Sequence, residues 1–130
     1  MERKLIDANV ILRYLLKDHE IYFKKASALL EKVKIGEEAV IIPESVLTEC
    51  VYVLLKIYKV ERGILSEKLR GLFAYKGVAN PDKKDLVDSL ILFGQTKLSI
   101  VDCLLCAKSK NHGMPLFTFD EDLKRIYDHG

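Results

Sequence analysis

The chain has 130 residues, of which 49% are hydrophobic and 31% charged, with a formal net charge of +2. That balance suits one globular domain with a real core, and it excludes a disordered chain and any global electrostatic draw toward nucleic acid. No apolar run reaches the roughly 18–20 residues that span a bilayer, the start MERKLIDAN is not a signal peptide, and three cysteines fit a reducing compartment, so a cytoplasmic location is expected.

In chain order, Lys4 to Asp7 reads as a short buried strand, and VILRYLLKD after it has the apolar spacing of a helix. Residues 20–35 repeat at 3.6 residues through Tyr22, Ala26, Leu29, Leu30 and Val33, closed by Gly36. AVII, residues 39–42, is a second strand, and Pro43 suits the first turn of a helix running to about Lys59. Ile64 to Tyr75 is a further helix, KGVANP a short strand or turn, and Asp82 to Gln95 is helical again. Ser99 opens a helix that ends at Gly113, and PLFTF, residues 115–119, is the next strand. Strands that alternate with helices, without hairpin signals, predict one α/β domain over residues 1–130: a three-layer sandwich with a central parallel sheet flanked by helices. Ligands of such sheets bind outside the carboxyl ends of the strands, where Asp7 and Asp120 fall.

Four acidic residues stand out. Asp7 ends an apolar strand, where an uncompensated charge is costly. It would either cap the following helix or hold a ligand, and Asn9 is the better-placed cap. Asp120, after PLFTF, suits an N-cap of the last segment as well as a ligand role. Ser99 and Asp102 have the S-x-x-D spacing of a capping box, which leaves Asp102 free to face the strand ends too. Ser45, Glu49, Tyr52 and Lys56 form one polar stripe on a greasy helix, facing either solvent or a wet cleft. Carboxylates crowded together stay ionised only beside a cation. Mg²⁺ or Mn²⁺ is the natural partner of carboxylate oxygen and water, and such a cluster suits phosphoryl chemistry.

Other candidates are weaker. Cys103 and Cys106 form a lone C-x-x-C, which cannot close a zinc site and reads as core. His19, His112 and His129 show no ligand spacing and are expected at the surface or in loops. Asn9, Arg13 and Lys17 share a helix face and offer two cations for an RNA backbone, or simply an exposed face. A phosphatase of the D-x-D class fails because position 9 is Asn.

The ordered set D7-A-N9, Glu49 after P-E-S-V-L, V-D102-C-L-L-C-A and L-F-T118-F-D120-E-D-L resembles the motifs of the PIN domain family over nearly the whole chain. The resemblance implies a metal-dependent ribonuclease, and among small prokaryotic members a VapC-type toxin of a toxin–antitoxin pair. It implies that Asp7, Glu49, Asp102 and Asp120 form the catalytic acidic pocket for Mg²⁺ or Mn²⁺. Asn9 and Thr118 would be the supporting polar residues, and Asp122 a nearby carboxylate able to assist or replace Asp120. It also implies RNA as substrate, an antitoxin protein as partner and a homodimer. The sequence departs from the family pattern at Ala8, where Thr or Ser is frequent. The alternative within the same fold is a non-catalytic RNA-binding or assembly module.

Overall fold

The computed structural model describes residues 1–129. The chain begins with strand β1 (Arg3–Leu5), then helices α1 (Ala8–Leu16) and α2 (Glu20–Lys34), strand β2 (Ala39–Ile41) and helix α3 (Glu44–Tyr52). Helices α4 (Arg62–Phe73), α5 (Lys83–Gln95), α6 (Ile100–His112) and α7 (Glu121–His129) complete it. This is an α/β fold with a small parallel sheet flanked by helices. No helix among the described residues is long and apolar enough to cross a membrane.

β1 and β2 pair in parallel, Arg3 opposite Ala39 and Leu5 opposite Ile41. The ladder continues on the far side of β2 through one bridge, Val40 to Val78. Its backbone bonds run from Val40 N to Gly77 O (2.8 Å) and from Ala79 N to Val40 O (2.9 Å). Buried Asn80 then takes over with its side chain: the amide oxygen accepts from Ile42 N at 2.9 Å and the amide nitrogen donates to Ile42 O at 2.7 Å. KGVANP thus serves as the third edge of the sheet without becoming a regular strand. Gly77 is required there, because a Cβ would stand 2.0 Å from the carbonyl oxygen of Glu38.

Apolar spacing sets the core. α2 buries Ala26, Leu30 and Val33, β2 contributes Val40, and Leu47, Cys50 and Val51 of α3 join them. Beyond α3 a helical layer forms from α4, α5 and α6 around Leu65, Leu69, Phe73, Leu86, Leu90 and Phe93. α4 meets α5 through Ser66, whose hydroxyl donates to Leu90 O at 2.6 Å. Arg62 stacks its guanidinium 3.6 Å from the Phe93 ring centroid and donates to Phe93 O, tying α4 to the end of α5.

Four sequence expectations need correction. The apolar run predicts a buried first strand, yet all three residues of β1 are exposed, because no strand among the described residues covers its outer edge. PLFTF forms no strand among the described residues: 115–118 have no regular structure and Phe119 lies in a bend, since no neighbouring backbone supplies ladder hydrogen bonds. The helix after Pro43 does not run evenly to Lys59. It widens into a π-helical turn at Val53–Ile57, closed by Tyr58 N to Val53 O (3.1 Å), before Lys59 turns left-handed at φ 53. Finally, the cap of α1 is Asp7 rather than Asn9: Asp7 has extended backbone, and its Oδ1 accepts from Val10 N at 3.1 Å.

Candidate active site

Asp7 lies between buried Ile6 and buried Ala8, so its own side chain is fixed at the point where β1 becomes α1. Capping uses one carboxylate oxygen. Glu49 arrives from α3, exposed, next to fully buried Cys50. The Cys50 sulfur lies 3.9 Å from Ala8 O, which seats α3 on the first turn of α1. Burial pushes the Cys50 thiol up to about 12, and the negative charges of Glu49 and Asp7 push it the same way. The two carboxylates therefore bear on one thiol from two different elements. Neither enters an ion pair among the described residues.

Asp102 sits half-buried in the first turn of α6, held by the Ser99 cap, whose Oγ accepts from Asp102 N at 3.1 Å. The capping half of the S-x-x-D reading is therefore met. α6 runs antiparallel to α3. At one end Lys108 pairs with Glu44 at 2.5 Å. At the other, a cleft of about 280 Å³ is lined by Tyr52 and Lys56 from α3 and the turn after it, and by Lys97 and Ser99 at the start of α6. Asp102 lies between those two ties along α6. The Asp102 charge also acts on Cys103 and Cys106, whose thiols are raised chiefly by burial, Cys103 to about 12. All three cysteines are buried and free, as core packing predicts.

Asp120 caps α7, with Oδ1 accepting from Leu123 N at 2.9 Å, while its own amide donates to Thr118 Oγ1 at 3.0 Å. Thr118 thus orients the backbone of Asp120. Asp122 is paired with Arg125 at 3.0 Å on the exposed side of α7. Asn9 is exposed on α1. Arg13 is committed to Asp18 (2.9 Å) and to the Tyr58 hydroxyl (3.2 Å), and Lys17, the left-handed cap of α1, lies over the Phe23 ring at 5.8 Å. Among the described residues, no group of three or more Asp, Glu, His or Cys side chains is close enough to hold a metal ion. Asp7 and Glu49 sit on two elements that the Cys50–Ala8 contact holds together, and a Mg²⁺-type ion, which takes one or two carboxylates and keeps several waters, would suit residues of this kind.

Two features escape the sequence reading. Spacing predicts a lone surface His112, but its Nε2 lies 2.8 Å from buried Asp85. Asn111 adds bonds to Asp85 (2.8 Å) and Asp88 (3.0 Å), closing α5 onto the end of α6. Burial alone would raise the Asp85 carboxyl, but the bonds from His112 and Asn111 outweigh it and hold it below its ordinary range. Only the Lys84–Asp88 spacing within α5 is visible in the sequence; the cross-helix partners are not. The second feature is the pair Lys56 and Lys97, which the fold brings to one cleft from positions far apart in sequence.

A family model described as PIN domain matches residues 4–129, nearly the full length. No curated protein and no solved structure matches the chain.

Proposed function

The chain belongs to the PIN domain family, whose members are generally nucleases, and from that premise we propose that it is a divalent-metal-dependent ribonuclease. The observation that carries the reading is the contact of Cys50 with Ala8, which seats the element bearing Glu49 on the one that Asp7 caps, with no basic side chain among the described residues paired to either carboxylate.

Asp7 is the anchor. Its position is set by the α1 cap, and Ile6 and Ala8 lock the backbone on both sides. Glu49 sits on α3 beside fully buried Cys50, whose sulfur lies 3.9 Å from Ala8 O. Bound there, Mg²⁺ or Mn²⁺ would supply a deprotonated water and neutralise charge on the attacked phosphate. Asp102 would complete the acidic edge from α6. Lys56 and Lys97, exposed and outside any ion pair among the described residues, suit the phosphates of a single strand approaching past Tyr52. These two replace Arg13 and Lys17 as the preferred backbone contacts, since Arg13 is already satisfied by Asp18 and Tyr58.

The VapC-type toxin role, with an antitoxin partner, is the finer part of the proposal. It is supported by the order of the four motifs in a chain of single-domain size. Titration with Mn²⁺ followed by thermal melting tests the site directly. The wild type should gain stability as the ion rises above its dissociation constant, and Glu49→Gln should lose that gain. No metal-dependent shift in either protein would favour the non-catalytic RNA-binding module instead.

A further inference from the structure

The cleft of about 280 Å³ between the end of α3 and the start of α6 is lined by three cations and, among the described residues, by no acid. Its lining includes buried Val51, Phe93 and Ile100, which give it an apolar base. Lys56 and Lys97 are exposed, whereas Arg62 is half-buried with its guanidinium over the Phe93 ring. None of these three cations enters an ion pair among the described residues.

Arg62 is the unusual member. Its Nε donates to Phe93 O at 3.1 Å and its Nη2 to Leu98 O, both neutral acceptors, while Nη1 bonds no described residue. Burial pulls its pKa below the usual guanidinium range. A cation drawn partly out of water without a counter-charge is costly, and here two more cations stand beside it. Exposed lysines alone would be an ordinary solvated face; their convergence on a desolvated, unpaired arginine is not. The N-terminus of α6 adds partial positive charge on the same side, since its cap, Ser99, also lines the cleft.

The charge excess selects the anion. A phosphate monoester carries a charge of about −1.5 to −2 near neutral pH and several strong acceptor oxygens. A phosphodiester within a strand carries a single charge, and its chain must continue on both sides. A recessed arginine between two exposed lysines therefore suits a group that enters end-on. We propose that this cleft seats the terminal phosphate of an RNA strand, with Arg62 at its base and Lys56 and Lys97 at its rim. The walls then lead the strand toward the acidic residues. Glu49 lies one turn before Tyr52 of the cleft on α3, and the amide of Asp102 donates to Ser99 Oγ at 3.1 Å. The phosphate seat rests on the cleft alone; its use in positioning RNA for cleavage rests on the nuclease reading.

The test is binding of one short oligoribonucleotide, carrying an internal dye, by fluorescence anisotropy with a chelator present so that nothing is cut. The strand is prepared with a 5′-phosphate, with a 3′-phosphate, or with hydroxyls at both ends. Wild type should bind one phosphorylated form roughly tenfold more tightly than the other two, as charge-assisted bonds to a desolvated arginine imply. Lys56→Gln/Lys97→Gln, at two exposed positions, should keep the unfolding midpoint and lose that preference. Arg62→Gln should lose it as well, and if that variant does not fold, the lysine pair decides. Equal binding of all three strands, or a preference that survives in the lysine variant, overturns the inference. So does a free mononucleotide that competes at the same concentration as the phosphorylated strand, because the site then belongs to small nucleotides. Cleavage of RNA in Mn²⁺ by a wild type without end preference leaves the nuclease reading standing and removes this one. An end preference in a protein that cleaves nothing does the reverse.

Discussion

The sulfur of Cys50 lies 3.9 Å from the carbonyl oxygen of Ala8, and this contact joins the first turn of α1 to α3. Asp7 precedes Ala8 and Glu49 precedes Cys50. One buried contact between α1 and α3 therefore joins the two elements that carry the proposed metal ligands.

Asp7 has two roles that substitution can separate. Asp7→Ala removes the α1 cap and should cost about 1 kcal/mol of stability, whereas Asp7→Ser should keep most of it because Ser also caps. Both should lose RNA cleavage. Urea unfolding midpoints read the first effect and cleavage rates the second. Equal stability in the two variants would show that the cap is not formed.

The Asp85–His112 tie makes stability depend on pH. The Asp85 carboxyl is held below its ordinary value of 3.8, so the unfolded chain binds its proton more readily than the folded one. Its contribution is present above about 3.8, including neutral pH, and is lost as pH falls through the lower folded value. Asp85→Asn should accordingly melt below wild type at pH 7, with the gap closing in more acidic solution. A gap that stays constant with pH would contradict this account.

Gly77→Ala should destabilise the chain by at least about 2 kcal/mol, since the added carbon meets backbone oxygens of Glu38 and Val33 rather than a movable side chain. Thermal melting measures it. A neutral outcome would mean that the close approach of residue 77 to the end of α2 is not maintained.

Charge reversal at Lys56 and Lys97 should weaken RNA binding at low salt with little effect on folding. The dependence of log affinity on log salt should become shallower by roughly 1 for each lysine that no longer neutralises a phosphate. Fluorescence anisotropy of a labelled single strand at several salt concentrations gives both numbers. The same substitution at Arg13 should instead lower stability, because it removes the guanidinium that bonds both Asp18 and Tyr58 and sets a second negative charge beside Asp18.

Much of this is legible in the residues. Ser99 announces its cap, Gly113 and Gly36 mark helix ends, and the apolar period of α2 is plain. The family motifs also pick out Asp7 and Glu49, which lie on two elements joined by the Cys50–Ala8 contact. What the sequence hides is what depends on distant partners. Asn80 completes the ladder with a side chain, a role invisible in GVANP. His112 looks unattached because its acid lies 27 residues away on another helix. PLFTF has the composition of a strand, but a strand needs a neighbour, and none of the described residues provides one.

The most direct test of the central claim is cleavage of a mixed RNA panel with Mn²⁺, comparing wild type with Asp7→Asn. Asn keeps the size and the cap and removes the charge. The account predicts cleavage by the wild type, abolished by a chelator and lowered on the order of 100-fold or more by the substitution. Equal cleavage by both proteins would contradict it.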